Sequence, residues 1–128
     1  MKYTALQPML ETRDMESTIT FYTSVLGFER QAGFEDEEPI GWCRLQKDDV
    51  SIMFCLPNTI MNYPAVMLSG SLYINVEDVD DCWQNLKDKC EVVYAPENFE
   101  YGMREFAVKD NNGYVINFGE AISDGETN

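Results

Sequence analysis

Apolar positions along the chain fall into two kinds of spacing. Met15, Ile19, Tyr22 and Leu26 are separated by 4, 3 and 4 residues, and Val79, Trp83, Leu86 and Cys90 repeat that pattern. Such spacing places the side chains on one stripe of an α-helix. Asp14 and Asp78 each stand one residue before a stripe, where a carboxylate caps free N–H groups at the positive helix end. Gly27 ends the first helix. Strands are marked by short apolar runs around polar turns. WCRLQKDDVSIMF (Trp42 to Phe54) and FAVKDNNGYVINF (Phe106 to Phe118) each predict a β-hairpin, turning at Asp48-Asp49 and at Asn111-Asn112-Gly113.

These features recur at a shift of 64 residues, half the chain: the helical stripes, the capping aspartates, the hairpins, and the apolar pairs Met9-Leu10 and Tyr73-Ile74. Residues 28–41 and 92–105 match poorly and read as loops or a more variable strand. Each half is therefore a strand, a helix and about three further strands. One half alone exposes too much apolar sheet to be stable, so the two are expected to share a core. The expected organisation is one domain over 1–122, with modules at about 1–56 and 70–122, a linker over 57–69, and a mobile tail over 123–128. The fold class is α+β.

Composition narrows the chemistry. The 128 residues carry 23 acidic and 9 basic side chains, a net charge of −14, and no histidine. Without imidazole, Ser-His-Asp and Cys-His catalysis, histidine-based zinc sites and the facial triad are excluded. The acidic balance repels phosphate backbones, so no nucleic-acid partner is expected, and no apolar run is long enough for a membrane span. MKYTALQPML lacks the apolar core and cleavage site of a secretory signal, which implies a cytoplasmic location. Cys43, Cys55, Cys82 and Cys90 fit no metal or redox spacing. Eight residues along a helix would separate Cys82 and Cys90 by roughly 12 Å, too far for a disulfide. Buried reduced thiols are expected. The acidic blocks EDEE (Glu35 to Glu38) and EDVDD (Glu77 to Asp81) read as a solvated loop and a helix start, or as charges steering a cationic ligand.

The doubled βαβββ pattern, with ITFYTSVLGFE (Ile19 to Glu29), SLYINVEDVDDCW (Ser71 to Trp83) and YGMREFAVKDNNGYVINFGE (Tyr101 to Glu120), resembles the vicinal oxygen chelate superfamily. Glyoxalases, dioxygenases, fosfomycin-resistance enzymes and bleomycin-resistance proteins belong to it. The resemblance implies two modules curled around a shared cleft. It also implies that the positions holding the metal ion in metal-dependent members are Gln7, Met53, Ser71 and Asn117. An amide, a thioether, a hydroxyl and a second amide supply no anionic donor for a divalent ion. No metal and no cofactor are therefore expected. The likeness is then to the metal-free bleomycin-resistance-like members, which implies a homodimer that binds a small molecule without catalysis. An enzyme of the same superfamily (lyase, isomerase or dioxygenase type), with an unorthodox metal or metal-free acid/base chemistry, is the alternative.

Hairpin geometry names the residues facing the ligand. A two-residue turn at Asp48-Asp49 pairs Arg44 with Met53 and Trp42 with Cys55, so these share a face. Trp42 offers a platform for an aromatic or cationic group, and Arg44 a clamp for a carboxylate. The second hairpin admits two registers. A three-residue turn, favoured by the resemblance, puts Tyr101, Glu105 and Ala107 on the face of Asn117; a two-residue turn would put Arg104 and Phe106 there instead. Ser71, Tyr73 and Asn75 alternate onto one face of their strand. The expected ligand contacts are Gln7, Trp42, Arg44, Met53, Ser71, Tyr73, Tyr101, Glu105 and Asn117. Among them Tyr101 would donate a hydrogen bond, and Glu105 would hold a cation or act as a base.

Overall fold

The computed structural model describes residues 1–33, 38–59 and 63–123, and the chain divides into two compact units, Met1–Val66 and Met67–Asn128. Most of the EDEE block and all of the tail but Ser123 lie outside the described residues. In the first unit, β1 (Met9–Glu11) leads into α1 (Met15–Thr20), and β2 (Glu29–Gly33), β3 (Trp42–Lys47) and β4 (Val50–Cys55) follow in the order β1-β4-β3-β2. The second unit repeats this with β5 (Leu72–Asn75), α2 (Val79–Leu86), β6 (Glu91–Phe99), β7 (Met103–Lys109) and β8 (Val115–Ala121), ordered β5-β8-β7-β6. In each sheet the first strand pairs in parallel with the last, and the other pairs are antiparallel. The α+β fold of two βαβββ units follows the sequence pattern. The poorly matching stretches contain β2 and β6, both strands.

Both helices begin as the aspartates dictate. Asp14 Oδ1 accepts the Ser17 N–H at 3.0 Å, and Asp78 Oδ1 accepts the Asp81 N–H at 3.1 Å. Helix α1 runs on as a π-helical turn over Phe21–Val25. The wider turn carries Tyr22 into the core, where its ring lies 5.0 Å from Phe54 and 5.5 Å from Phe28. Gly27, at φ +79°, then reverses the chain. Helix α2 ends sooner than its stripe predicts. It stops at Leu86, a tight turn closes from the Lys89 N–H to the Leu86 carbonyl at 2.9 Å, and Cys90 lies beyond it with its thiol 3.3 Å from that same carbonyl. All four cysteines are free, but only Cys43 and Cys55 are buried; Cys82 and Cys90 are half-buried. Burial pushes the Cys43, Cys55 and Cys90 thiols up from their ordinary value.

Each helix covers one face of its own sheet. Met15, Tyr22 and Leu26 are buried, as are Cys43, Leu45, Ile52 and Phe54 at alternate strand positions. In the second unit the buried set is Val79 and Leu86 with Phe106, Val108, Ile116 and Phe118. Phe106 is central to it, with Trp83 at 5.3 Å edge-on and Phe118 stacked at 5.1 Å. The start of α2 is tied to the sheet by Glu120, which accepts the Val79 N–H at 3.0 Å, and by Arg104, whose guanidinium meets Asp80 at 2.9 Å. Among the described residues no helix is long and apolar enough to cross a membrane.

The units differ by one residue in hairpin register. Tyr73 pairs with Asn117 as Met9 pairs with Met53, a displacement of 64. Opposite those residues stand Ala107 and Arg44, a displacement of 63. A two-residue turn at Asp48-Asp49 joins β3 to β4, whereas β7 and β8 are joined around Asn111-Asn112-Gly113, with Gly113 at φ +87°. Asp110 fixes that longer turn by accepting the N–H groups of Asn112 and Tyr114 at 2.8 and 2.9 Å. The longer turn turns the β7 side chains over relative to a plain 64-residue copy, so Glu105 rather than Arg104 or Phe106 shares the face of Asn117.

Truncating the fully buried Phe106 to alanine is expected to cost about 3–5 kcal/mol, measured as a fall in the urea midpoint at unchanged slope.

Candidate functional site

One row of register partners crosses all four strands of the second sheet: Tyr73 on β5, Asn117 on β8, Ala107 on β7 and Tyr94 on β6. Residues in such a row project to the same side. The next row places Gly119 beside Glu105. Large polar residues thus alternate with two small ones, and the small ones provide space. Ala107 lets Asn117 reach over to Tyr94, where its Nδ2 donates to the phenol oxygen at 2.8 Å. Gly119 lets Tyr73 reach over to Glu105, where the phenol donates to Oε1 at 3.0 Å. A Cβ on Gly119 would stand 2.1 Å from the Tyr73 hydroxyl, so glycine is required for this contact.

Glu105 is the centre of the arrangement. It is only 3% exposed, and three phenols donate to it: Tyr73 and Tyr101 to Oε1, Tyr94 to Oε2. Tyr101 reaches it from the turn between β6 and β7, which Gly102 closes at φ +86°. The aromatic rim continues through Phe99, whose ring lies 5.3 Å from Tyr101 and 5.8 Å from Tyr94. Tyr73 and Tyr101 are 43% and 56% exposed, so the rings, not the carboxylate, meet solvent.

The protonation states follow from this geometry. Burial pushes the Glu105 carboxyl up, but the hydrogen bonds from Tyr101, Tyr94 and Tyr73 together outweigh it and hold the group below its ordinary 4.5. The phenols move the other way. Desolvation and the bond to Glu105 raise Tyr73 and Tyr94 to about 12, and the bond to Glu105 followed by desolvation raises Tyr101 as well. Glu105 is a poor base here, because protonating it would cost three charge-assisted hydrogen bonds. Tyr101 spends its one hydrogen on Glu105, where the sequence had it donating to a ligand.

The remaining expected contacts are placed within their own units. In the first, Gln7 precedes β1 and accepts from the Ser51 hydroxyl at 3.2 Å, while Trp42, Arg44 and Met53 stand on one face of the β3–β4 hairpin, all half-buried. The Arg44 Nε is buried without a hydrogen-bond partner. In the second, Ser71 is exposed just before β5, and Asn117 is engaged with Tyr94. Gln7, Met53, Ser71 and Asn117 carry no charge and do not suit a divalent ion. Among the described residues, no group of three or more acidic or cysteine side chains could hold a metal ion. Sequence reasoning missed Tyr94 and Gly119. Tyr94 lies between two register shifts of β6, which break the alternation that would have shown its face.

Against known proteins, the family model described as Glyoxalase/Bleomycin resistance protein/Dioxygenase superfamily matches residues 5–118. No curated protein matches. Among solved structures, a glyoxalase/bleomycin resistance protein/dioxygenase from Nocardioides superposes with a TM-score of 0.76 at 17% identity, covering 100% of this chain and 89% of that one. TioX from Micromonospora sp. ML1 gives 0.76 at 18% identity, with 94% and 100% covered. TnmS3, an antibiotic binding protein from Streptomyces sp. CB03234, gives 0.74 at 22% identity, with 94% and 98% covered. At these identities the likeness is one of fold.

Ultraviolet titration is expected to leave Tyr73 and Tyr94 protonated until about pH 12. Because their folded values lie above the unfolded value of 10, their stabilising contribution is complete below pH 10 and disappears as pH rises toward 12. For Glu105 the sign is opposite: its contribution is complete above pH 4.5 and is lost as pH falls through its lowered folded value. The Gly119→Ala variant should fold, at a cost of about 1.5–3 kcal/mol for the lost hydrogen bond to a charged group, and return one tyrosine toward pH 10.

Proposed function

We propose that this chain, which belongs to the Glyoxalase/Bleomycin resistance protein/Dioxygenase superfamily, is a metal-independent, non-catalytic binding protein for a small organic ligand, cationic or aromatic in character. The observation that carries this reading is the second-unit sheet face, where tyrosine rings surround a buried carboxylate. Electron-rich ring faces attract cations and stack on flat groups, and the negative centre beneath them adds to the first of these. The net charge of −14 favours a cation approaching any part of the surface. TnmS3, named as an antibiotic binding protein, supports the reading as a protein of this fold that binds an antibiotic.

In the same proposal, Ser71 and Asn117 complete the ligand contacts of the second unit. Gln7, Trp42, Arg44 and Met53 serve as contacts of the first, with Trp42 a stacking platform and Arg44 a partner for an anionic group. The working species is a homodimer. An acid/base enzyme is the weaker reading, because the carboxylate best placed to act as a base is held by three phenols.

Calorimetric titration of EDTA-treated protein with bleomycin and with aromatic amines is expected to give saturable binding that added Ni, Zn, Mn or Fe leaves unchanged. Absence of any binding, or stoichiometric micromolar uptake of one of those metals, would overturn the proposal. Sedimentation at micromolar concentration should show a dimer.

A further inference from the structure

The hydrogen-bonding polarity of the tyrosine face says more about its ligand than its shape does, and this step rests on the binding reading above. A phenol has one hydrogen to donate. Tyr73, Tyr94 and Tyr101 all direct theirs at Glu105. Since Tyr94 has no second hydrogen, it can only accept from Asn117. The amide nitrogen of Asn117 must therefore point at Tyr94, and its oxygen must point elsewhere. That oxygen, Oδ1, is buried and has no hydrogen-bond partner. Three of the roughly four lone-pair sites of the carboxylate are filled, and the phenol oxygens keep unused lone pairs. The phenolic donors are thus spent inward, and what faces a ligand is acceptors and ring faces around a negative charge.

We propose that this face selects ligands by their N–H donors: a protonated primary or secondary amine attached to an aromatic or other apolar body. The ammonium group lies against the tyrosine rings and donates to Asn117 Oδ1, an atom buried in the free protein that the ligand has to reach. The partnerless oxygen is the feature that demands a donor, because a buried carbonyl without one is costly and a ligand N–H removes that cost. A carboxylate meets only lone pairs and like charge here. A quaternary ammonium keeps the attraction of the rings but leaves Asn117 unsatisfied.

The test compares three probes of similar size: 1-naphthylmethylammonium, its N,N,N-trimethyl counterpart and 1-naphthylacetate, followed by NMR shift titration. The primary ammonium is expected to bind about tenfold more tightly than the trimethyl compound, with no binding of the acetate. Equal affinity of the two cations, or preference for the acetate, overturns the donor rule and leaves the binding reading standing. Failure of all three probes overturns the inference, and the bleomycin titration then decides whether the binding reading falls with it. In Asn117→Ala, checked for fold by near-UV circular dichroism, the preference between the cations should shrink to within about twofold; its persistence counts against the proposal. The wild-type protein gives an independent readout. The Asn117 side-chain amide resonances should shift with the primary ammonium and not with the trimethyl compound, and equal shifts with both would overturn the assignment.

Discussion

A carboxylate almost wholly withdrawn from water governs the second sheet face. Burying Glu105 without compensation would cost several kcal/mol or force it to take up a proton. Three phenolic hydrogens prevent both, and in doing so they fix the positions of three aromatic rings. Tyr73, Tyr94 and Tyr101 come from β5, β6 and the turn before β7, and the anion they share holds them to one spot. Charge and aromatic surface form one device, since neither could hold its place without the other.

The device depends on what is small as much as on what is large. A side chain at Gly119 would exclude the Tyr73 hydroxyl, and Ala107 leaves the gap that Asn117 spans to reach Tyr94. It depends also on one additional residue in a turn. In the first unit the shorter turn at Asp48-Asp49 puts Trp42 at the strand position where the second unit has Glu105, and Arg44 where it has Ala107. Two copies of one topology thereby carry different chemistry: an indole and a guanidinium in the first, a phenol-bound carboxylate in the second. A repeat seen in sequence conceals this, because a 64-residue alignment matches the apolar runs while shifting β7 by one residue and so by one face.

The same bonds limit what the face can do. A carboxylate held below its ordinary pKa by three donors accepts a further proton reluctantly, and phenols raised to about 12 give theirs up reluctantly. Proton transfer needs groups whose affinities lie near the working pH. Recognition has no such requirement. It is served by ring faces and lone pairs, which need no proton to move.

Sequence alone determined the architecture, because helix stripes, capping aspartates, hairpin turns and a 64-residue repeat are local or periodic signals that survive without contacts. It also showed that the chain brings no imidazole to any site. It placed Tyr73 by alternation along its strand, Tyr101 and Glu105 by alternation outward from a turn whose register the family resemblance chose, and Asn117 by that resemblance. Only the tertiary structure decided what those side chains do. Tyr94 was hidden by the register shifts of β6, Gly119 has no side chain to attract notice, and the phenolic hydrogens converge on a carboxylate two strands from Tyr73, one strand from Tyr94 and four residues beyond Tyr101. Alternation reports which face a residue occupies; the partner it finds there is set by neighbours across the sheet, which come together only once the strands have paired.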